Sequence, residues 1–300
     1  RRKFLLSRRA GSAARSAEGS RVVAVVGRDG VGKSKVCAAL LDLGHVDIGS
    51  ERFADKKRLL EPDRGEATRN FSCSNHIYSQ RASGPHLHLI DTPGHVDRMP
   101  LVDQALHAAH GSVMVCSIRG GVDAACGRIL AAVEHSKKPS VIFLNGIDRD
   151  DGAPGFSAAI DALERRLGVR PVVLFAPAHV GGAATGSTLL NVLGGNLCTS
   201  KGCELFPAGS QGGKRQSSTS PVPVELITWA RQLKEQLVES LASVDEEMME
   251  LYLEEGENIP RSTIESALRR ATAAGLVAPL VAGSAKTGLG IDALQEVVKT

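Results

Sequence analysis

The 300-residue chain has no apolar run approaching the roughly 20 residues that a membrane-spanning helix requires; its longest are short pieces such as Val22 to Val26. An integral helical membrane protein is thereby excluded. Aromatic residues are scarce, at 3% with one Trp and two Tyr, which argues against a base-stacking reader of single-stranded nucleic acid. Neither sign of charge dominates: 36 basic and 33 acidic residues leave a formal net charge of +3, too little for a general nucleic-acid field, so any RNA contact must be local. The six cysteines form no CxxC pair, and several lie in apolar or helical patterns, as reduced buried thiols do; a reducing compartment is expected. The nearest pair, Cys198 and Cys203, has no second pair or His to complete a metal site. What is present, 42% hydrophobic and 23% charged residues, is a globular composition with enough chain for one large domain or two modest ones.

A chain that opens on Arg1 and not on Met reads as a piece, or a processed form, of a longer protein. Residues 1–20 hold Arg1, Arg2, Lys3, Arg8, Arg9 and Arg15 against the single acid Glu18, among Ser and Ala. This is either a transit-like segment or a basic arm, in both cases outside the fold. A Gly/Ser-rich stretch from Val180 to Val224 reads as a loop-rich insertion. Strand-like runs are expected at Val22 to Val26, Leu87 to Ile90, Val113 to Ile118, Val141 to Leu144, Val172 to Phe175 and Leu276 to Val281. Helices are expected at Lys33 to Leu43, Val102 to Ala109, Ala124 to His135, Ser157 to Leu167, Leu226 to Leu241, Ser262 to Ala274 and Ile291 to Val298. For the helix at Ser262, Ser262 and Glu265 have capping-box spacing and Gly275 supplies a stop. The alternation is the βαβ rhythm of a parallel sheet covered on both faces.

Directly after the first strand comes Gly27-Arg28-Asp29-Gly30-Val31-Gly32-Lys33-Ser34, which matches GxxxxGK[ST] in the strand-to-helix setting that the motif requires. Backbone N–H groups of Asp29 to Lys35 can turn inward around a phosphate and the helix start adds a favourable dipole. Lys33 neutralises phosphate oxygens and Ser34 can ligate Mg²⁺. Downstream, Asp91-Thr92-Pro93-Gly94-His95 follows the strand that ends at Ile90. An Asp at a strand end can hold Mg²⁺ through water, while the Gly94 N–H can reach a terminal phosphate and sense its loss.

DTPGHVD at Asp91 to Asp97 resembles the translational GTPases, and Val244 to Ala285 is similar to the corresponding part of bacterial and organellar elongation factor G. The resemblance covers roughly Val22 to Val298. It implies an α/β P-loop NTPase fold, a mostly parallel sheet flanked by helices, with residues 21–300 as one GTPase domain carrying an inserted α+β subdomain at about 174–248. It further implies GTP/GDP and Mg²⁺ as ligands, with Ser34 and Asp91 on the metal. His95 would orient the attacking water once the ribosome positions it. Asn145-Gly146-Ile147-Asp148 stands where the family has NKxD, with Asp148 reading the N1–H and N2–H₂ edge of guanine and Asn145 tying the base loop to the P-loop. Ser284, Ala285 and Lys286 would complete the guanine loop. Their distance from Asp148 exceeds one αβ unit and leaves room for the insertion.

Five positions depart from the family: Glu66 stands where a hydrophobic residue is expected, Arg98 where the aromatic after HVD is and Gly30 where many relatives carry Asp, and two more bear directly on the ligand. Gly146 replaces the lysine that lies along the base and braces the P-loop. In Asp63-Arg64-Gly65-Glu66-Ala67-Thr68, which resembles the first switch, Ala67 stands where the Mg²⁺-ligating Thr belongs and Thr68 falls one place late. His86 and His88 flank Leu87 and read as surface positions. The resemblance implies ribosome-stimulated GTP hydrolysis in translation elongation, with the ribosome's RNA and proteins met mainly through the full-length protein. It also implies a monomer without a membrane partner, in the cytoplasm, or in a mitochondrion or plastid if the basic segment is a transit peptide. The alternatives are a divergent domain that binds guanine nucleotide with little hydrolysis, and another ribosome-associated GTPase.

Overall fold

The computed structural model of the chain describes residues 20–41, 74–80, 87–119, 124–149, 153–165, 170–180, 183–199, 202–205, 224–256 and 259–299. The first segment, the expected first-switch residues Ala67 and Thr68, and His86 lie outside these. In chain order the elements are β1 (Arg21–Val26), α1 (Lys33–Leu40), β2 (His76–Gln80), β3 (Leu87–Asp91), α2 (Met99–Ala108), β4 (Gly111–Ser117), α3 (Ala124–Ser136), β5 (Ser140–Asn145) and α4 (Ala153–Glu164). There follow β6 (Arg170–Val180), β7 (Ala183–Asn191), β8 (Asn196–Thr199), β9 (Gly202–Leu205), α5 (Val224–Ala242), α6 (Glu246–Glu255), α7 (Arg261–Ala273), β10 (Val277–Gly283) and α8 (Ile291–Lys299).

The sequence of β1, RVVAVV, leaves no polar face after Arg21, so the strand is stable only where both sides are covered. Val23 and Val25 pack toward Val36, Cys37 and Leu40 of α1 and Ile291 and Leu294 of α8. Ala24 and Val26 belong to the opposite layer, with Val102 and Leu106 of α2 and Ile129 and Leu130 of α3. The sheet is continuous, in the order β2-β3-β1-β4-β5-β10-β6-β7-β8-β9. From β3 to β6 every neighbouring pair is parallel, and β2, β7, β8 and β9 add antiparallel pairs at the two edges. All loops that follow the parallel strands therefore meet at one edge, which is where open α/β sheets bind ligands. Among the described residues no helix is long and apolar enough to cross a membrane.

The Gly/Ser-rich stretch after Val180 is not simply a loop: β7, β8 and β9 form an antiparallel ladder within it. A ladder needs backbone groups at the correct spacing, and Leu189 and Leu190, 1% and 0% exposed, are enough to pin β7 to the core. The strand at Val172 runs from Arg170 to Val180, so position 174 falls inside β6, and position 248 falls inside α6. Helix α6 was not expected; Asp245 caps it by accepting from the Met248 N–H at 3.2 Å, and Arg270 of α7 reaches Asp245 at 2.9 Å and Glu247 at 2.7 Å. The capping box at Ser262 does not form. Helix α7 starts at Arg261 after Pro260, and Glu265 instead takes the Arg261 Nε–H at 2.6 Å. Its end is as expected: Gly275, at φ +70°, donates to Thr272 O while Leu276 donates to Ala271 O, the paired bonds of a Schellman stop.

Helix α4 begins at Ala153, with Pro154 in the first turn, where a missing N–H costs nothing. Cys37, Cys116 and Cys126 are free and buried. Cys198, in contrast to the reduced thiols expected, is disulfide-bonded, and the residue across the β8–β9 ladder from it is Cys203.

Lys138 closes the C-terminal end of α2. Its ammonium donates to Leu106 O at 2.7 Å, His107 O at 2.6 Å and Ala109 O at 2.6 Å, carbonyls left without partners where the helix ends. Replacing Lys138 with Met removes three charge-assisted bonds and should lower unfolding free energy by about 2 kcal/mol, read as a lower urea midpoint at unchanged slope.

Candidate nucleotide site

The loop between β1 and α1 takes its shape from glycine. Gly30 and Gly32 have φ of +78° and +96°, in the region where other residues are strained. A Cβ on Gly32 would lie 2.6 Å from Asn145 Nδ2, so glycine is also required for the close approach of the base loop. Lys33 is 7% exposed; its Nζ donates to Arg28 O at 2.9 Å and lies 3.9 Å from Asp29 Oδ1. Burial lowers its pKa, an effect opposed by the nearby carboxylates of Asp91 and Asp29. Val36 N donates to Gly32 O at 2.9 Å, the first helical bond of α1, so Lys33, Ser34 and Lys35 occupy its first turn with their backbone N–H groups at the positive end of the helix.

Asp91 ends β3 and is 1% exposed. Thr92 fastens the loop that follows: its N–H and hydroxyl both donate to Val25 O, at 3.2 and 2.9 Å, next to the strand end that carries the phosphate loop. Reasoning from sequence passed over Thr92, although its position between Asp91 and Pro93, as a buried hydroxyl at a strand end, was the available signal. Gly94 touches the phosphate loop directly. A side chain there would overlap the Asp29 amide, the Arg28 carbonyl carbon and the Lys33 ammonium. His95 is brought near but turned outward. It caps a short 3₁₀ turn, Val96–Arg98, its side chain is 58% exposed, and its Nδ1 lies 3.2 Å from Asp97 Oδ2. His88, expected at the surface, is half-buried, with Nδ1 2.7 Å from Ser79 Oγ.

Two further strand ends complete the cluster. Asn145, at the end of β5, donates through Nδ2 to Val31 O at 2.7 Å and accepts through Oδ1 from Ala285 N at 2.9 Å. One side chain thus joins the phosphate loop, its own loop and the loop after β10. Ser284, fully buried, donates to Asp148 Oδ1 at 2.6 Å and accepts from the Lys286 and Thr287 N–H groups at 3.2 and 3.3 Å. The carboxylate of Asp148 is held in one orientation by this hydroxyl. Gly146 N donates to Gly283 O at 2.9 Å, and Gly146 has φ +96° with open space where a Cβ would stand, the nearest heavy atom being Ile118 Cγ2 at 3.9 Å. The structure thus brings together Asp29 to Lys33, Asp91, Gly94, Asn145, Asp148 and Ser284 to Lys286, and leaves His95 at the rim.

A phosphate cradle with a buried lysine, beside a fixed carboxylate on a separate loop, defines a P-loop nucleotide-binding domain. Comparison with known proteins gives the family. Residues 18–300 match the model of the elongation factor Tu GTP-binding domain, and the chain belongs to that family; guanine nucleotide is its ligand. It is 27% identical over 281 residues to the mitochondrial ribosome-releasing factor 2 of Drosophila persimilis, covering 86% of this chain and 36% of that protein. It is 32% identical over 209 residues to elongation factor G of Fervidobacterium nodosum, covering 69% and 28%. The chain therefore spans roughly a third of the length of these relatives. A crystal structure of a Thermus thermophilus protein superposes with a TM-score of 0.75 at 23% identity, over 94% of this chain and 40% of that one, a likeness of fold.

Two outcomes follow from this geometry. Asn145→Ala strands the Val31 carbonyl and the Ala285 amide and should cost about 2 kcal/mol in urea unfolding, with nucleotide affinity falling in the same protein. Lys33 must be charged to hold a phosphate, and burial has lowered its pKa in the free protein. A bound phosphate raises it again, so affinity is full below the free-state pKa and is lost as pH rises through it. Calorimetry in alkaline buffers of different ionisation heat should register proton uptake on binding, and Lys33→Arg should abolish that uptake.

Proposed function

We propose that this chain binds GTP and GDP and hydrolyses GTP as the nucleotide-driven module of an elongation factor G-like protein that works on the ribosome. The tie made by Asn145 carries this reading, because it holds the phosphate loop and both base-reading loops in one body. Asp29 to Lys35 surround the phosphates, with Lys33 as the cation. Asp148 pairs with the N1–H and N2–H₂ edge of guanine and repels the adenine edge, the Ala285 loop faces the base oxygen, and Lys286 flanks it. Ser34 and Asp91 would hold Mg²⁺; a hydroxyl and a carboxylate are the hard oxygen donors this ion takes, and the ion would supply charge neutralisation at the terminal phosphate. Thr68, the third candidate ligand, lies outside the described residues.

Gly94, in contact with the P-loop backbone, senses the terminal phosphate, and the turn after it carries His95. In this structure the His95 ring is engaged by Asp97 and exposed. It orients the attacking water only after being swung inward, which the ribosome provides. The same observation, together with Gly146, favours a second reading in which the domain holds guanine nucleotide with little hydrolysis.

The relatives act in mitochondria or come from bacteria, and the proposed setting is correspondingly mitochondrial or cytoplasmic, with residues 1–20 as a transit segment in the first case. Residues from about 174 to 248 are the insertion that distinguishes this domain, and the domain itself acts as a monomer.

Ribosome-stimulated phosphate release decides between the two readings. Stimulation of about 100-fold or more, lost in His95→Ala without change in GTP affinity, is the expected result. Retained GTP binding with no stimulation would leave only the binding module. Gly146→Lys, for which there is space at the cost of a positive φ of about 1 kcal/mol, should tighten nucleotide binding.

A further inference from the structure

The loop that starts at Asp91 runs through the 3₁₀ turn Val96–Arg98 straight into α2, so the place of His95 depends on what holds the first turn of that helix. The two ends of α2 are held differently. Near the C-terminal end Lys138 donates to three carbonyls, His110 N donates to Val22 O at 2.8 Å, and Val102, Ala105 and Leu106 are buried in the core. At the N-terminal end Met99 and Leu101 are half-buried and Pro100 is exposed. A side chain from another element reaches this turn: Asn75, immediately before β2, donates through Nδ2 to Leu101 O at 2.9 Å. Strand β2 pairs with β3 so that His76 lies opposite Asp91, and in the chain Asn75 follows Ala67 and Thr68, which resemble the first switch. One amide thereby ties the strand that comes after the first switch to the helix that comes after His95.

The tie is incomplete. Asn75 Oδ1 is buried and has no hydrogen-bond partner among the described residues, in contrast to Asn145, whose amide is bonded through both its nitrogen and its oxygen. A buried oxygen without a donor works against the state that contains it, so the bond to Leu101 is partly offset and holds α2 weakly. Such a contact keeps a turn in place at rest and yields to a competing partner. We propose that Asn75 is a positioning residue for His95: by holding the first turn of α2 against β2 it keeps the turn Val96–Arg98, and the His95 ring that caps it, in the outward arrangement, and its release is part of the inward swing. This inference rests on the reading of His95 as the residue that orients the attacking water. Asn75 acts through α2 and not on the nucleotide.

The test uses two variants of the full chain. Asn75→Leu keeps the volume and removes both the donor and the unpaired oxygen; Leu101 O lies inside a helix and retains its helical donor, so folding is preserved. Asn75→Asp keeps the shape and removes the donor alone. Both should speed amide exchange at Arg98, whose N–H donates to His95 O at 2.9 Å, by about fivefold, with the amides of Ala105 to Ala109 unchanged. Ribosome-free GTP hydrolysis should rise by about the same factor in kcat, with KM and GDP affinity unchanged, and the rise should vanish when Asn75→Leu is combined with His95→Ala. Unchanged exchange at Arg98 in either variant, faster exchange along the whole of α2 with a lower urea midpoint, or a gain in hydrolysis that survives His95→Ala would each overturn the proposal. A wild type that binds GTP without any hydrolysis would contradict the reading of His95 instead, and exchange at Arg98 would still decide whether Asn75 restrains the turn.

Discussion

The side-chain amide of Asn145 is the interaction on which the site depends. A single planar group donates to Val31 O and accepts from Ala285 N, and Gly32 has no side chain because that amide occupies the space. The three loops come from chain segments far apart in sequence, and each alone would sample many conformations, at about 1–2 kcal/mol per residue for ordering the backbone. Crossing them at one half-buried group that is bonded through both its nitrogen and its oxygen turns that ordering into a property of the fold. Asp148 is then set by Ser284, and Ser284 by the Lys286 and Thr287 amides.

The sheet makes this crossing feasible. Because β3, β1, β4, β5 and β10 run parallel, the loops after β1, β3, β5 and β10 emerge at one edge, and apolar layers on both faces keep the strand ends in register. Thr92 performs for the β3 end what Asn145 does for β5, by bonding Val25 O. Lys33 is consequently a buried cation between two carboxylates, where burial depresses its pKa and Asp91 and Asp29 restrain the depression. A phosphate bound there would meet the Lys33 ammonium in surroundings that are already largely dry.

Much of this was legible in the residues. The central strands are near-continuous β-branched runs, and glycine, lysine and aspartate at strand ends have few other uses, so β1, the phosphate loop, Asp91 and the Asn145 loop could be placed from sequence. What escaped reading is physically distinct. Strands β7 to β9 rest on backbone pairing in a Gly/Ser-rich segment whose side chains carry little periodic signal, and among the described residues Leu189, Leu190 and Cys198 are their buried side chains. Helix α6 is half glutamate and largely exposed, and is defined by its Asp245 cap and by Arg270 on another helix, a tertiary contact. Ser262 and Glu265 had the spacing of a cap, but Arg261 offered Glu265 a charged partner and Pro260 began the helix one residue sooner. The outward turn of His95 is likewise invisible to the motif, since a one-residue match says nothing of which way the ring faces.

Guanine specificity through a domain held together at Asn145 is most directly measured by displacing a fluorescent GDP analogue with GTP and with ATP. GTP should displace it at about a hundredfold lower concentration or better, because Asp148 pairs with one base edge and repels the other, and Asn145→Ala should weaken GTP strongly. Equal displacement by ATP and GTP, or an Asn145→Ala protein that binds GTP as the wild type does, would contradict it.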